Sequence, residues 1–161
     1  MTRPRLHIVV LVALILIAGL AGCHRGKRPF VLGVVCLKSE QDFSDFTSEL
    51  RAIAASEGTK LGDRSAQTQK EMETLGHPFE GKRTRPVVNM YIELKDGAGL
   101  GVGNMGMPGY QVAFGVNAGW GRAEVAHQFA DTVVARLKSR WRVELVTDPA
   151  HAGAQPMKDC H

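Results

Sequence analysis

The sequence predicts an α+β domain in which one antiparallel sheet packs against two helices. Three observations support this: an uninterrupted apolar run, two segments in which apolar and polar residues alternate, and two segments with apolar residues at helical spacing. They follow one another in the order strand, helix, strand, strand, helix, strand. The 161 residues leave room for one such domain.

The first half of the domain is a strand followed by a helix. The strand is predicted from Phe30 to Leu37, because this run is continuously apolar and rich in β-branched residues, as in a strand buried on both faces. The helix begins after Ser39, which opens a sequence like a capping box, and it continues to Gly58. Its apolar stripe consists of Phe43, Phe46, Leu50, Ile53 and Ala54.

A polar connector separates this helix from a pair of strands. It runs from Thr59 to Arg85 and has a helical pattern only from Ala66 to Leu75. The two strands are predicted from Val87 to Leu94 and from Tyr110 to Val116, because every second residue in them is apolar. In the simplest interpretation they are neighbours, and the glycine-rich stretch between them is a hairpin loop.

The strongest helical pattern runs from Gly121 to Arg140, and a short strand from Val143 to Thr147 follows it. The buried stripe of this helix is Ala126, Phe129, Ala130, Val133, Leu137 and Trp141. The complete element order is that of ferredoxin-like βαββαβ sandwiches, with the polar connector as an insertion. A likeness of this kind concerns the fold and implies no function.

The first 22 residues differ in composition from the rest of the chain. Fifteen of them are apolar, and the only charged residues among them are Arg3 and Arg5. The apolar run from Ile8 to Leu20 makes a helix of roughly 20 Å, whereas the hydrocarbon core of a bilayer is about 30 Å thick. A basic start, a short apolar run and small residues are typical of an export signal. An uncleaved membrane anchor and an ordinary secretory signal are the alternatives.

The sequence Leu20-Ala21-Gly22-Cys23 follows the apolar run directly and resembles the lipobox of bacterial lipoproteins. The resemblance covers the first 23 residues. It implies cleavage after Gly22, a diacylglycerol on the thiol of Cys23 and a fatty acid such as palmitate on its amino group. Two or three chains anchor a domain durably, whereas one binds reversibly. His24 stands where inner-membrane lipoproteins of enterobacteria carry Asp, so the resemblance implies the periplasmic side of the outer membrane.

The chain is thus expected to have four parts: a signal peptide (1–22), a lipidated tether (23–29), one α+β domain (30–148) and a tail (149–161). Without the signal peptide, 18 basic residues stand against 16 acidic ones, so the pI of about 9.2 is partly a property of the signal. Binding of a polyanion needs a clustered basic face. We therefore expect the membrane and another protein as partners, and no nucleic acid.

The stretch from Gly97 to Gly109 contains six glycines, and Gly101 to Gly106 has GxGxxG spacing. A dinucleotide site needs this spacing between a strand and the start of a helix, but here a strand follows. A flexible hairpin or a glycine-kinked pair of strands is the better interpretation. The stretch is also the best candidate for a partner-binding loop. The residues predicted to make contact are Gly103, Asn104, Met105, Met107 and Tyr110.

Glu124, His127 and Asp131 fall on one side of the second predicted helix. A Glu-x-x-His pair is half of a carboxylate-bridged metal site, and the sequence contains no second pair. We therefore expect a solvated polar face, with no metal ion and no cofactor other than the lipid on Cys23.

Cys36 and Cys160 are left once Cys23 is lipidated. An oxidising periplasm permits a disulfide between them. The last strand ends far from Cys36, but the tail is long enough to return to it. The alternative is a buried free thiol at Cys36 and a frayed tail.

The sequence contains no nucleophile-elbow motif and no activated thiol, so we expect no enzyme. The leading hypothesis is a lipoprotein that binds another protein, either as an accessory subunit of an envelope complex or as an immunity-like protein. The alternatives are a small-ligand receptor or enzyme that uses the loop from Gly97 to Gly109, and a structural envelope protein. An enclosed pocket at that loop favours a small ligand, and a flat surface favours a protein.

Overall fold

The computed structural model describes residues 29–74, 87–119, 122–149 and 151–160. The elements in chain order are β1 (Val31–Cys36), α1 (Glu40–Ser56), β2 (Leu61–Asp63), α2 (Ser65–Thr74), β3 (Asn89–Glu93), β4 (Gly99–Gly103), β5 (Gln111–Asn117), α3 (Ala123–Lys138) and β6 (Arg142–Leu145).

The six strands form one open sheet in the order β2-β3-β4-β5-β1-β6, and every neighbouring pair is antiparallel. Helices α1 and α3 contribute to a core on one face of this sheet. The fold is therefore mixed α and β, as predicted. We call the end at which β1 begins the proximal end, and the end at which β1 finishes and β5 starts the distal end.

Helix α1 has the predicted boundaries. Ser39 is its N-cap and accepts a hydrogen bond from the backbone N–H of Asp42 at 3.1 Å, while Asp42 accepts one from the N–H of Lys38 at 2.8 Å. The helix ends before Gly58, whose φ of 67° is readily adopted by glycine.

Helix α3 packs its predicted stripe into the same core. Its buried residues are Ala126, Phe129, Ala130, Val133 and Leu137, and Trp141 lies just beyond it against Phe46 with ring centroids 5.6 Å apart. Glu49 of α1 joins the two helices through ion pairs with Arg136 at 2.6 Å and Arg140 at 3.2 Å.

The glycine-rich stretch is where the predicted topology is wrong. It contains a strand, β4, which lies between β3 and β5 and pairs with both, so the two predicted strands are not neighbours. Leu100 and Val102 of β4 face the core, and the alternate positions are glycine. In an ordinary half-exposed strand these alternate positions are polar. Here they are glycine, so the sequence has the composition of a flexible loop.

The polar connector also contains a strand that the sequence analysis missed. The three residues of β2 form an edge of the sheet beside β3. Helix α2 follows close to its predicted position, has no buried residue, and is joined to β3 through Asn89. The N–H of Asn89 donates to the hydroxyl of Ser65, and its side-chain amide donates to Thr68.

A second, smaller apolar cluster lies on the sheet face opposite the helices. Val34, Cys36 and Met157 are buried in it, and Met107, Ala154 and Cys160 pack against them. Cys36 and Cys160 form a disulfide. The sequence left a bridge and a frayed tail open as alternatives, and in the structure the tail packs against the sheet.

Candidate functional site

A cleft opens at the distal end of the sheet, between the start of α1 and the segment that leads from β4 into β5. Its volume is about 330 Å³, and it is partly enclosed. The lining residues are Glu40, Phe43, Val88, Asn104, Gly109, Tyr110, Gln111 and Val112. Pockets for small molecules begin at roughly 300 Å³, so this cleft is at the small end of that range.

The apolar part of the lining comes from three different elements. Phe43 stands in the first turn of α1, where the Ser39 cap fixes the helix start. Val88 precedes β3, and Val112 is the second residue of β5. Both valines are buried in the main core, so the floor of the cleft is continuous with that core.

Asn104 fixes the wall formed by the ends of two strands. Its side-chain oxygen accepts a hydrogen bond from the backbone N–H of Val88 at 2.9 Å. This bond connects the residue after β4 to the residue before β3 and therefore continues the pairing of the two strands beyond the regular ladder.

Gln111 also lines the cleft, and its side chain connects β5 to the tail. Only 2% of Gln111 is exposed. Its side-chain NH₂ donates to the carbonyl of Met157 at 3.0 Å, and its side-chain oxygen accepts from the N–H of Met157 at 2.7 Å. One amide side chain thus satisfies both backbone groups of a buried tail residue.

The structure divides the predicted partner-binding loop into three parts. Asn104 and Tyr110 line the cleft. Met105 is half-exposed at the turn, and Met107 packs away from the cleft in the second cluster. Gly103 is the last residue of β4.

Five of the lining residues escaped the sequence analysis as site residues: Glu40, Phe43, Val88, Gln111 and Val112. Phe43, Val88 and Val112 belong to apolar patterns that predict core positions, and Glu40 fits the acidic first turn of any helix. A site that forms where three elements meet in space has no pattern within any one stretch of the sequence that would predict it. Gln111 carried one signal, since it is a polar residue at the start of an apolar strand.

The GxGxxG spacing does not form a nucleotide site of the known kind. Gly101 and Gly103 lie in β4, Gly106 lies in the following turn with a φ of 76°, and β5 comes next. The glycine spacing therefore precedes a strand, and the amides of a helix start are not at its end.

Glu124, His127 and Asp131 are all exposed on α3. The His127 ring contacts the ring of Phe30, with centroids 4.7 Å apart. Within the described ranges, no group of three or more His, Cys, Asp and Glu residues is placed to hold a metal ion.

The predicted lipobox and Cys23 lie outside the described residues. Among the helices that the structure does describe, none is both long and apolar enough to span a membrane. The described chain starts at Pro29, at the proximal end, where the N–H of Phe30 donates to the carbonyl of Val116. The cleft is therefore at the end of the sheet opposite to Pro29.

Comparison with known proteins found no match of this chain to a protein family, to a curated protein or to a solved structure.

Proposed function

We propose that this chain is a lipid-anchored lipoprotein on the periplasmic side of the outer membrane, and that it acts by binding another protein through the distal cleft. The partner is an envelope complex or a secreted toxin that the chain neutralises. The observation that supports the proposal is the position and the openness of the cleft: it lies at the predicted loop, at the end of the sheet opposite to Pro29, and it is open enough for a protruding side chain of a partner to enter. In this proposal the chain is not an enzyme.

The chemistry of the cleft favours a partner segment with a large apolar side chain beside a basic one. Phe43, Val88 and Val112 supply apolar walls for the first side chain. Glu40 lines the cleft and is exposed, and Asp42 lies in the same helical turn. A lysine or arginine of the partner complements these carboxylates. Opposite charges on the two surfaces also raise the rate of association.

Peptide selection tests the occupant. A library of short displayed peptides is panned against the mature protein, and we expect enrichment of an aromatic or large aliphatic residue next to Lys or Arg. Glu40→Lys should weaken the selected peptides at least tenfold. Glu124→Lys is the matched control, because Glu124 is also an exposed glutamate in the first turn of a helix, and it should change affinity less than twofold. Selection of peptides without this pair, or equal losses in both variants, would contradict the proposal.

The lipid anchor is tested separately. Cells that express the full chain are labelled with a palmitate analogue, and their inner and outer membranes are separated on a sucrose gradient. We expect label in the outer-membrane fraction for the wild type and for Cys160→Ala, and none for Cys23→Ser. Label on Cys23→Ser would refute lipidation at Cys23. Label confined to the inner membrane would refute the proposed location.

A small apolar ligand is the second candidate occupant, because the cleft is partly enclosed and reaches the size of the smallest ligand pockets. Native mass spectrometry of protein purified from envelopes distinguishes the two. A ligand gives a non-covalent adduct that Phe43→Trp removes by filling the cleft, whereas a protein-binding cleft gives none.

The finer fold assignment is also a proposal. We infer that the domain is an elaborated ferredoxin-like sandwich, in which β2 and β3 are additions to the βαββαβ plan. The order β6-β1-β5-β4 supports it, since the fourth, first, third and second strands of that plan are neighbours in the same way, and β4 runs parallel to β1 as the plan requires.

A further inference from the structure

In the tail, residues 151–160 are attached to the sheet at three points. The first is the disulfide from Cys160 to Cys36, and the second is the pair of hydrogen bonds between Met157 and Gln111. The third is a hydrogen bond of 3.4 Å from the guanidinium of Arg142 to the carbonyl of Asp159. Of the described tail residues, Met157 alone is buried, and none belongs to a strand or helix. Segments with so few buried contacts open at low cost in free energy.

The tail and the cleft share structural support. Gln111 lines the cleft and also holds the backbone of Met157. Met107, in the segment between β4 and β5, packs in the same cluster as Met157. If the tail leaves, the Gln111 amide loses both partners and Met107 loses an apolar neighbour. The segment that forms one side of the cleft is then less constrained.

We propose that the Cys36–Cys160 disulfide is a redox-controlled latch, and that its reduction releases the tail and loosens residues 104–112 around the cleft. This goes beyond the proposed function and is independent of which molecule occupies the cleft. The reductant is a dithiol, such as the active site of a thiol–disulfide oxidoreductase.

The exchange starts at the Cys160 sulfur, because Cys160 is partly exposed while only 4% of Cys36 is exposed. A thiolate of the reductant forms a bond to Cys160 and breaks the bond to Cys36, which leaves as a thiolate and takes up a proton. The second thiol of the reductant then displaces Cys160, which is protonated in turn. The reductant becomes a disulfide, and the protein gains two electrons and two protons.

The main core keeps its own contacts when this disulfide is reduced. Cys36 lies in β1, between Gln111 of β5 and Arg142 of β6, and the ladders on both sides hold this strand without the sulfur bond. The core between the sheet and helices α1 and α3 lies on the other face. Reduction should therefore act locally on the tail and the cleft.

Hydrogen exchange of the full mature chain, with and without dithiothreitol, tests the latch. At labelling times too short for global unfolding, we expect reduction to speed exchange at least tenfold in residues 105–112 and 151–160, while the buried amides of α1 and α3 stay protected. Cys36→Ala/Cys160→Ala without reductant should reproduce this pattern. If that variant does not fold, the comparison of the oxidised and reduced wild-type protein decides the test.

Gln111→Leu separates the disulfide from the hydrogen bonds. With the bridge intact, this variant should raise exchange around Met157, and reduction should raise it further across the whole tail. Three results would overturn the proposal: two free thiols in protein purified without reductant, unchanged exchange in residues 105–112 on reduction, or an equal increase in the helices.

Discussion

The contact between Gly97 and Gly119 permits a quantitative test of the strand arrangement. Gly97 lies in the β3–β4 hairpin, and Gly119 lies in the turn after β5 with a φ of 60°. A Cβ at Gly119 would lie 1.6 Å from the carbonyl oxygen of Gly97, whereas real Cβ contacts below 3.0 Å are essentially absent. Gly119→Ala therefore forces the hairpin and the turn apart by at least about 1.4 Å.

Substitutions at two other glycines separate the backbone contribution to the expected loss of stability from the steric contribution. Gly58 has a φ of 67° and no atom within 4 Å of an added Cβ, so Gly58→Ala isolates the backbone term, roughly 1 kcal/mol. Gly101 in β4 has open space and no positive φ, so Gly101→Ala should be neutral or stabilising by up to about 1 kcal/mol. Gly119→Ala carries the backbone term and the overlap together, about 2–4 kcal/mol of lost stability.

Urea unfolding measures the free energy of unfolding of all three variants. Tryptophan fluorescence reports the transition, because the ring of Trp141, one of two tryptophans, packs edge-on against Phe46 of the main core. The expected order of stability is Gly101→Ala, then Gly58→Ala, then Gly119→Ala. A Gly119→Ala protein within about 0.5 kcal/mol of Gly58→Ala would show that the hairpin and the turn do not touch, and a large loss in Gly101→Ala would contradict the open position of β4.

Three further changes have expected outcomes. Glu49→Ala removes the carboxylate that bonds two arginines, and since these are more than one-third exposed we expect a loss of about 1 kcal/mol that shrinks in 1 M NaCl during urea titrations. Cys36→Ala/Cys160→Ala opens a loop with a sequence separation of 124 and should lower the unfolding free energy by up to about 5 kcal/mol in calorimetry. Gln111→Glu puts an oxygen against the carbonyl of Met157 and should cost about 1–3 kcal/mol in urea titrations, with faster proteolysis of the tail.

The sequence predicts the helices and the central strand well because each has a strong local pattern. Helix α1 combines a Ser39 cap, an apolar stripe and a glycine end, and all three features are present in the structure. The stripe of α3 is buried as its spacing predicts. Strand β1 is apolar throughout because both of its faces are covered, one by the helices and the other by the tail.

Two strands could not be predicted because their patterns are weak for different reasons. In β4, glycine occupies each position that an ordinary half-exposed strand gives to a polar residue, so composition favours a loop. In β2, three residues are too few for an alternation. Gly62 in β2 is needed for another reason: an added Cβ would lie 2.3 Å from the Tyr91 ring, which covers it from β3.

The path of the tail over the sheet follows from the direction of β6 and from the position of Cys36. Strand β6 runs antiparallel to β1, so Arg142 lies beside Cys36 and Leu145 lies beside Gly33, nearer the proximal end. A chain that continues from Leu145 must return the length of β1 to bring Cys160 within bonding distance of Cys36. On this path it crosses Val34, and Met157 covers the apolar surface there. The spacing of the cysteines permits this path, and the amide of Gln111, from another strand, holds the backbone of Met157 in place; local sequence patterns do not predict this contact.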